Sequence, residues 1–249
     1  MKRLKRHPES HSALFKVSVS TGVMLVLLVG LMFWLAFFTD ACRIKRVVIA
    51  GNDHLEDGYI RRKSGVDSYR NLLTLPVGRI DRNLAEDPWI KGVKVTRKML
   101  NTVVIEVVER KPVGVIDCGG TGFLADGDGH VIARVSPGEF KGLPRIHGSD
   151  TSLPRVDQTI TGKEVLESVD VLDNMPEEIS QTIQLVNPFD GRGQVLVSKA
   201  GFQIIYGSSS ESEKKNEVLE AILADVKNSN RKIAYIDVRV PDSPVIKAN

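Results

Sequence analysis

Cysteine is nearly absent: Cys42 and Cys118, about 75 positions apart, are the only two in 249 residues. Small disulfide-stapled domains need several bridges, so no disulfide framework is expected. Histidines occur without ligand spacing. His54, His130 and His147 stand alone, and His7 and His11, four apart, lie on a tail too short and too basic to hold a metal. No serine sits in a nucleophile elbow, and Ser208-Ser209-Ser210 reads as a loop before a helix. Gly120-x-Gly122-x-x-Ala125 fits a loose dinucleotide pattern, but the residues after it read as strand and turn where that motif needs a helix. Asp126 and Asp128 look like the opening of a calcium loop, yet the twelfth position would be Pro137 instead of a bidentate glutamate, so a hairpin turn is expected. No catalytic residue, cofactor site or metal site follows from these patterns, and the chain is read as a binding protein.

What the chain does have is one long apolar run. Residues 17–39 carry no charge over 23 positions, and no second such run exists. A helix of that length, at roughly 1.5 Å per residue, covers the roughly 30 Å hydrocarbon core of a bilayer. Lys2, Arg3, Lys5, Arg6 and Lys16 precede the run, against Arg43, Lys45 and Arg46 after it, and the richer side is expected to stay cytoplasmic. A cleavable signal peptide is the competing reading; signal cores are shorter, and the exit Thr39-Asp40-Ala41-Cys42 has neither a small-x-small pattern nor a lipoprotein box. Of 34 basic and 31 acidic residues, residues 1–16 hold five and one, which leaves 29 and 30 in the rest. A near-neutral exterior removes the electrostatic case for nucleic-acid binding, which needs a clustered surplus of Lys and Arg.

Beyond the run, periodicity divides the chain in two. Ile44, Val47 and Ile49 begin a strand that stops at Gly51-Asn52, and Asp53 with Glu56 has capping-box spacing for a short helix. A second helix is expected over 77–86, with Ile80 and Leu84 on one face and Pro88 ending it. Strands follow at 90–98 and 102–110, the second burying Val103, Ile105 and Val107 and turning Glu106 and Val108 outward. Trp89 is placed as a lid on this small core, and Asn101 makes the turn between the strands. Past residue 113 short strands are split by glycine. Helices are expected with Val165, Leu166, Val169 and Leu172 on one face, capped by Thr161 and Glu164, and with Leu219, Ile222, Leu223 and Val226, capped at Ser210 with Glu213. Strands at 182–186, 194–198, 202–206, 235–240 and 245–247 complete the pattern.

Asp87-Pro88-Trp89-Ile90, Val93-Lys94-Val95-Thr96-Arg97 and the stretch from Asn101-Thr102 through Glu109-Arg110-Lys111-Pro112-Val113 resemble the POTRA domain of the bacterial cell-division FtsQ family, called DivIB in Gram-positive bacteria. Leu100 departs from that pattern, which commonly has proline before the turn asparagine. The β-rich half, with Asp126-Gly127-Asp128-Gly129, Leu143-Pro144 and Asp237-Val238-Arg239, is similar to the family's second domain. The fold class expected is α+β: an N-terminal transmembrane helix followed by a POTRA domain and a mixed β-sheet domain with packed helices. The layout is a basic cytoplasmic tail at 1–16, the span at 17–39, the POTRA domain at 43–112 and the β domain at 113–249.

The resemblance implies a non-enzymatic divisome scaffold of the inner membrane, concentrated at the septum, with its C-terminal domains extracytoplasmic. It also implies FtsB-like and FtsL-like partners, docked by strand addition on the last strands and taking no cofactor or small-molecule substrate. Carried over by position, the docking residues are Val240, Asp242, Ser243, Val245, Ile246 and Lys247. Pro244 and Lys247 are also usual guards of a natural sheet edge, so self-protection without a partner stays open. A second role is a membrane-anchored polypeptide transport or assembly factor, whose POTRA units usually come in series or with a barrel.

Overall fold

The computed structural model describes residues 10–38, 42–98, 101–136, 139–148, 153–229 and 232–248, with side chains in the first stretch described for 21–35. Residues 1–9 of the expected tail at 1–16, the exit at 39–41 and residues 99–100 of the turn lie outside the described residues. Two compact units form: Met1–Leu84 with Gly92–Val108, and Ala85–Lys91 with Glu109–Asn249.

In the first unit, α1 (Ser10–Phe38) is a 29-residue helix whose described side chains, at 21–35, are apolar apart from Thr21. Among the described residues no helix is long and apolar enough to cross a membrane. The side chains described on α1 occupy residues 21–35, roughly 22 Å of helix, so the apolar run of 17–39 extends beyond them. After α1 come β1 (Arg46–Ala50), α2 (Asp57–Ser64), a 3-10 turn at Val66–Ser68, α3 (Val77–Ala85), β2 (Ile90–Lys98) and β3 (Thr102–Glu109). The sheet order is β1-β3-β2, and β1 runs parallel to β3 with Arg46 opposite Thr102 and Ala50 opposite Glu106. Val103, Ile105 and Val107 are buried, as are Ile60, Leu75, Ile80 and Leu84 from the helical side. Strand periodicity of two meets helix periodicity of about 3.6, and one apolar core results.

The expected capping box at Asp53 and Glu56 does not form. Helix α2 starts later, at Asp57, with Glu56 in the cap position and no side-chain cap bond. Asn52 takes over the local turn, its Nδ2 donating to Leu55 O and to Asp57 Oδ1, both at 2.8 Å. The turn at Gly51 is held by φ +85, with Val107 O inside van der Waals reach of any added Cβ.

The second unit is built on nine strands: β4 (Pro112–Cys118), β5 (Thr121–Asp126), β6 (Val131–Val135), β7 (Arg145–His147), β8 (Ile183–Asn187), β9 (Gln194–Ser198), β10 (Gln203–Gly207), β11 (Ile233–Asp237) and β12 (Val245–Ala248). Their order is β12-β11-β10-β9-β8-β7-β4-β5-β6. Helices α4 (Lys163–Asp173), α5 (Glu177–Ser180) and α6 (Ser212–Ser229) supply Val165, Val169, Leu172, Ile179, Leu219 and Ile222 to the core that covers one sheet face. The one-turn α5 was not legible in the sequence, since four residues carry too little periodicity to announce a helix.

Two more expected caps fail. Gly162, not Thr161, precedes α4, and no side chain caps it. Helix α6 starts at Ser212, after Glu211 in left-handed backbone, while Ser210 Oγ pairs with Ser208 Oγ at 2.6 Å. Trp89 also differs from expectation. It packs with Ala133 and Leu143 against Val115, Leu124, Ile132 and Val135 of the second unit. The physical reason is that residues 85–91 fold with that unit: Arg110 N donates to Trp89 O at 2.8 Å, and Lys91 Nζ lies 2.5 Å from Asp128 Oδ2.

Candidate functional site

A row of cross-strand partners runs through the sheet: Phe123, Ile116, Ile146, Val186, Leu196, Ile204, Ile236 and Ile246 sit side by side in successive strands. Opposed residues share a face, so the row lies under the helices. The first seven are buried in the core; Ile246, on the terminal strand, is 47% exposed. The row therefore ends in an uncovered apolar side chain at an open edge.

Strand β12 is that edge. Among the described residues it pairs only with β11, antiparallel, with Asp237 opposite Val245 and Tyr235 opposite Lys247, and all four of its residues are exposed. The tight turn before it is closed by Ser243 N donating to Val240 O at 3.0 Å. Val240 and Val245 are 59% and 52% exposed, which makes a small apolar patch around the edge. The opposite edge is different. Strand β6 is screened at its start by the segment around Asp157, because Val131 N donates to Gln158 O and Asp157 N donates to Val131 O, both at 2.9 Å.

The structure thus gathers Val240, Asp242, Ser243, Val245, Ile246 and Lys247 on one turn and one edge strand. It adds residues that sequence reasoning missed. Lys247 Nζ stands 5.9 Å from the Tyr235 ring centroid, and Arg239 grips Asp237 through two nitrogens, Nη2 at 2.7 Å and Nε at 3.1 Å. The hydrogen-bonded Arg239 guanidinium holds the Asp237 carboxyl below the usual carboxylate range, against a smaller opposing effect of burial. Asp190 is likewise held down by Arg192, which also lies 3.5 Å from Gln203 Oε1. The spacing Asp237-x-Arg239 places both side chains on the same side of an extended chain, a signal present in the sequence but read there only as part of a motif.

Other sequence candidates resolve into structure. Gly119 and Gly120 form the β4–β5 hairpin turn, with Gly120 N donating to Asp117 Oδ1 at 3.0 Å. Asp126 closes the next hairpin: its Oδ1 accepts from Asp128 N at 3.1 Å and His130 N at 2.8 Å, and its Oδ2 takes Arg110 Nη1 at 2.7 Å. Among the described residues no group of three His, Cys, Asp or Glu could hold a metal. Cys42 and Cys118 are both buried free thiols. A cavity of about 530 Å³ beside α4 is lined by Glu164 and Arg155 as its charged groups, and they stand among Ile116, Ile160, Val165 and Phe189. An open edge of this kind offers backbone donors and acceptors and alternate side chains to an added strand.

Comparison with known proteins gives matches over most of the chain. The family model for the POTRA domain, FtsQ-type, matches residues 42–110, and the model for cell division protein FtsQ/DivIB, C-terminal, matches residues 115–239. Cell division protein FtsQ of Streptomyces bingchenggensis (strain BCW-1) is 25% identical over 227 residues, 91% of this chain and 84% of that protein. Cell division protein FtsQ of Corynebacterium glutamicum (strain ATCC 13032) is 24% identical over 207 residues, 83% of this chain and 90% of that protein. Cell division protein DivIB of Clostridium tetani (strain Massachusetts / E88) is 22% identical over 231 residues, 89% of this chain and 85% of that protein.

Proposed function

The chain belongs to the FtsQ/DivIB family of cell-division proteins, non-enzymatic structural components of the divisome, and from that membership we propose that it is a membrane-tethered scaffold docking FtsB-like and FtsL-like partners through β12. The observation that carries the reading is the apolar row that ends uncovered at Ile246 on an open edge. A partner strand added there would extend the sheet by one strand, pair the free backbone groups of β12 and continue the row.

The tether is the run at residues 17–39. Its support is the exposure of Val23, Leu25, Val26, Leu28, Leu31, Phe33 and Leu35 on a helix with no polar face, which in water would be costly. In this reading the N-terminal tail is cytoplasmic, the remainder is extracytoplasmic, and the protein works at the septal membrane with other division proteins. The 43–112 and 113–249 segments act as the POTRA and β domains of the scaffold.

Recovery of an FtsB-like partner by the full chain and by a chain ending after Val240 tests the edge. The shortened chain is expected to recover at least about tenfold less partner, the scale of losing a central hot spot. Equal recovery by both would overturn the edge assignment.

A further inference from the structure

One end of the first unit, where the chain enters β1 and where β2 finishes, is cationic. Ile44 N donates to Arg70 O at 2.9 Å, Lys45 N to Asn101 O at 2.8 Å and Leu72 N to Cys42 O at 2.8 Å, while Arg43 bridges to Asn71. Arg46, at the start of β1, lies opposite Thr102 at the start of β3. Strand β2 neighbours β3 and is joined to it by residues 99–101, a connection too short for a parallel crossover, so Lys98 at its end arrives at the same place. Arg43, Lys45, Arg46, Arg70 and Lys98 are all exposed there. The stretches 42–46, 69–73, 97–98 and 101–102 contain no Asp or Glu.

The far end is the reverse. The turn at 51–57 that follows β1 holds Asp53, Glu56 and Asp57 and no Lys or Arg. An exposed apolar side chain sits in the cationic end: Leu73 is 45% exposed and is presented by an Asx turn in which Leu73 N donates to Asn71 Oδ1 at 2.9 Å. This end also lies next in sequence to the apolar helix, since Cys42 follows Phe38 by four residues.

From this arrangement we infer that the cationic end of the first unit, with Arg43, Lys45, Arg46, Arg70 and Lys98 around Leu73, is a contact surface for anionic phospholipid headgroups. The inference rests on the tether reading, because a retained anchor holds this end at the bilayer surface. Basic residues on the translocated side weaken the charge asymmetry that orients the span, so their presence calls for a use there. Each lysine or arginine near an anionic surface strengthens partitioning roughly fivefold, and a leucine among them adds insertion to attraction. The acidic far end is repelled by the same surface, which fixes which end faces it.

The full chain with Leu73→Cys, labelled there with an environment-sensitive fluorophore, reads the contact. Cys42 and Cys118 are buried and compete little for the label. The chain is reconstituted into vesicles of phosphatidylcholine alone, or with about 40 mol% phosphatidylglycerol, and quenching by neutral acrylamide is measured. Quenching is expected to fall severalfold with phosphatidylglycerol and to recover in about 0.5 M salt. The K45Q/R46Q/R70Q/K98Q chain is expected to lose the lipid dependence. Equal quenching in both lipids would overturn the proposal, as would the same change produced by heparin without vesicles, which would assign the surface to a soluble polyanion. Flotation with phosphatidylcholine vesicles reports separately on the anchor. A chain that floats there but shows no phosphatidylglycerol response keeps its tether and loses this surface. A chain that floats only with anionic vesicles, and only at low salt, keeps the surface and loses the tether.

Discussion

Gly51 shows how much of the first unit depends on a single missing atom. Its φ of +85 disfavours any Cβ, and the nearest atom such a Cβ would meet is a backbone oxygen, Val107 O, which cannot rotate away. Gly51→Ala is expected to cost at least about 2 kcal/mol in urea unfolding, more than the backbone-entropy gain that alanine brings elsewhere. Asp237 makes a prediction in pH. Its folded pKa lies below the unfolded carboxylate value because of Arg239, so the stabilisation is full above about pH 4 and fades as pH falls through the lowered folded value. In thermal unfolding between neutral and strongly acid pH, Asp237→Asn is expected to melt lower than the parent at pH 6 and to converge with it in acid. Lys215 acts in the same direction, in a window at higher pH. Buried, with Nζ 2.8 Å from Ser208 O, it has its pKa pushed down by desolvation, so this group's contribution becomes more favourable as pH rises through that lowered value toward the unfolded one near 10.4.

The segment Ala85–Lys91 belongs to the second unit although it lies between elements of the first, and it enters as an apolar and an ionic anchor together. Trp89 contributes the apolar part, and its ring centroid lies 6.5 Å from that of Phe140. Lys91 contributes the ionic part, its Nζ 2.5 Å from Asp128 Oδ2, and beside it Arg110, whose N–H donates to Trp89 O, pairs at 2.7 Å with an Asp126 whose side chain is only 4% exposed. Arg110→Ala leaves that carboxylate buried without its cation, and a loss of about 3 kcal/mol is expected in denaturant unfolding of the second unit. Trp89→Ala is expected to cost a similar amount, about 3 kcal/mol, through the cavity it leaves. Strand β12 behaves differently because all four of its residues are exposed. Ile246→Glu is expected to change unfolding free energy by no more than about 0.5 kcal/mol while weakening partner recovery by at least about tenfold, a separation that a merely structural edge would not produce.

Across the molecule, local periodicity carried most of the fold. The strands 90–98 and 194–198 came out at the expected bounds, and Ile80 with Leu84 marked the buried face of α3. Caps were the weak point: Asp53, Thr161 and Ser210 each had the right spacing, but Asn52 took the hydrogen bonds of the first turn, Gly162 precedes α4 with no side-chain cap, and Ser210 pairs with Ser208. Trp89 was misplaced because periodicity along one strand cannot say which of two cores a residue at its start will enter. The edge itself was legible from its position at the end of the pattern, whereas the row leading to Ile246 needed the register of seven strand pairs. In the native host, depletion of the protein is expected to block septation and give filamentous cells, and a fluorescent fusion is expected at mid-cell. Amide hydrogen exchange of the full chain, with and without a saturating FtsB-like partner, reads the docking edge residue by residue. The expected result is slowed exchange at Val245–Ala248 on binding; unchanged exchange in β12 with protection confined to other strands would contradict docking by strand addition.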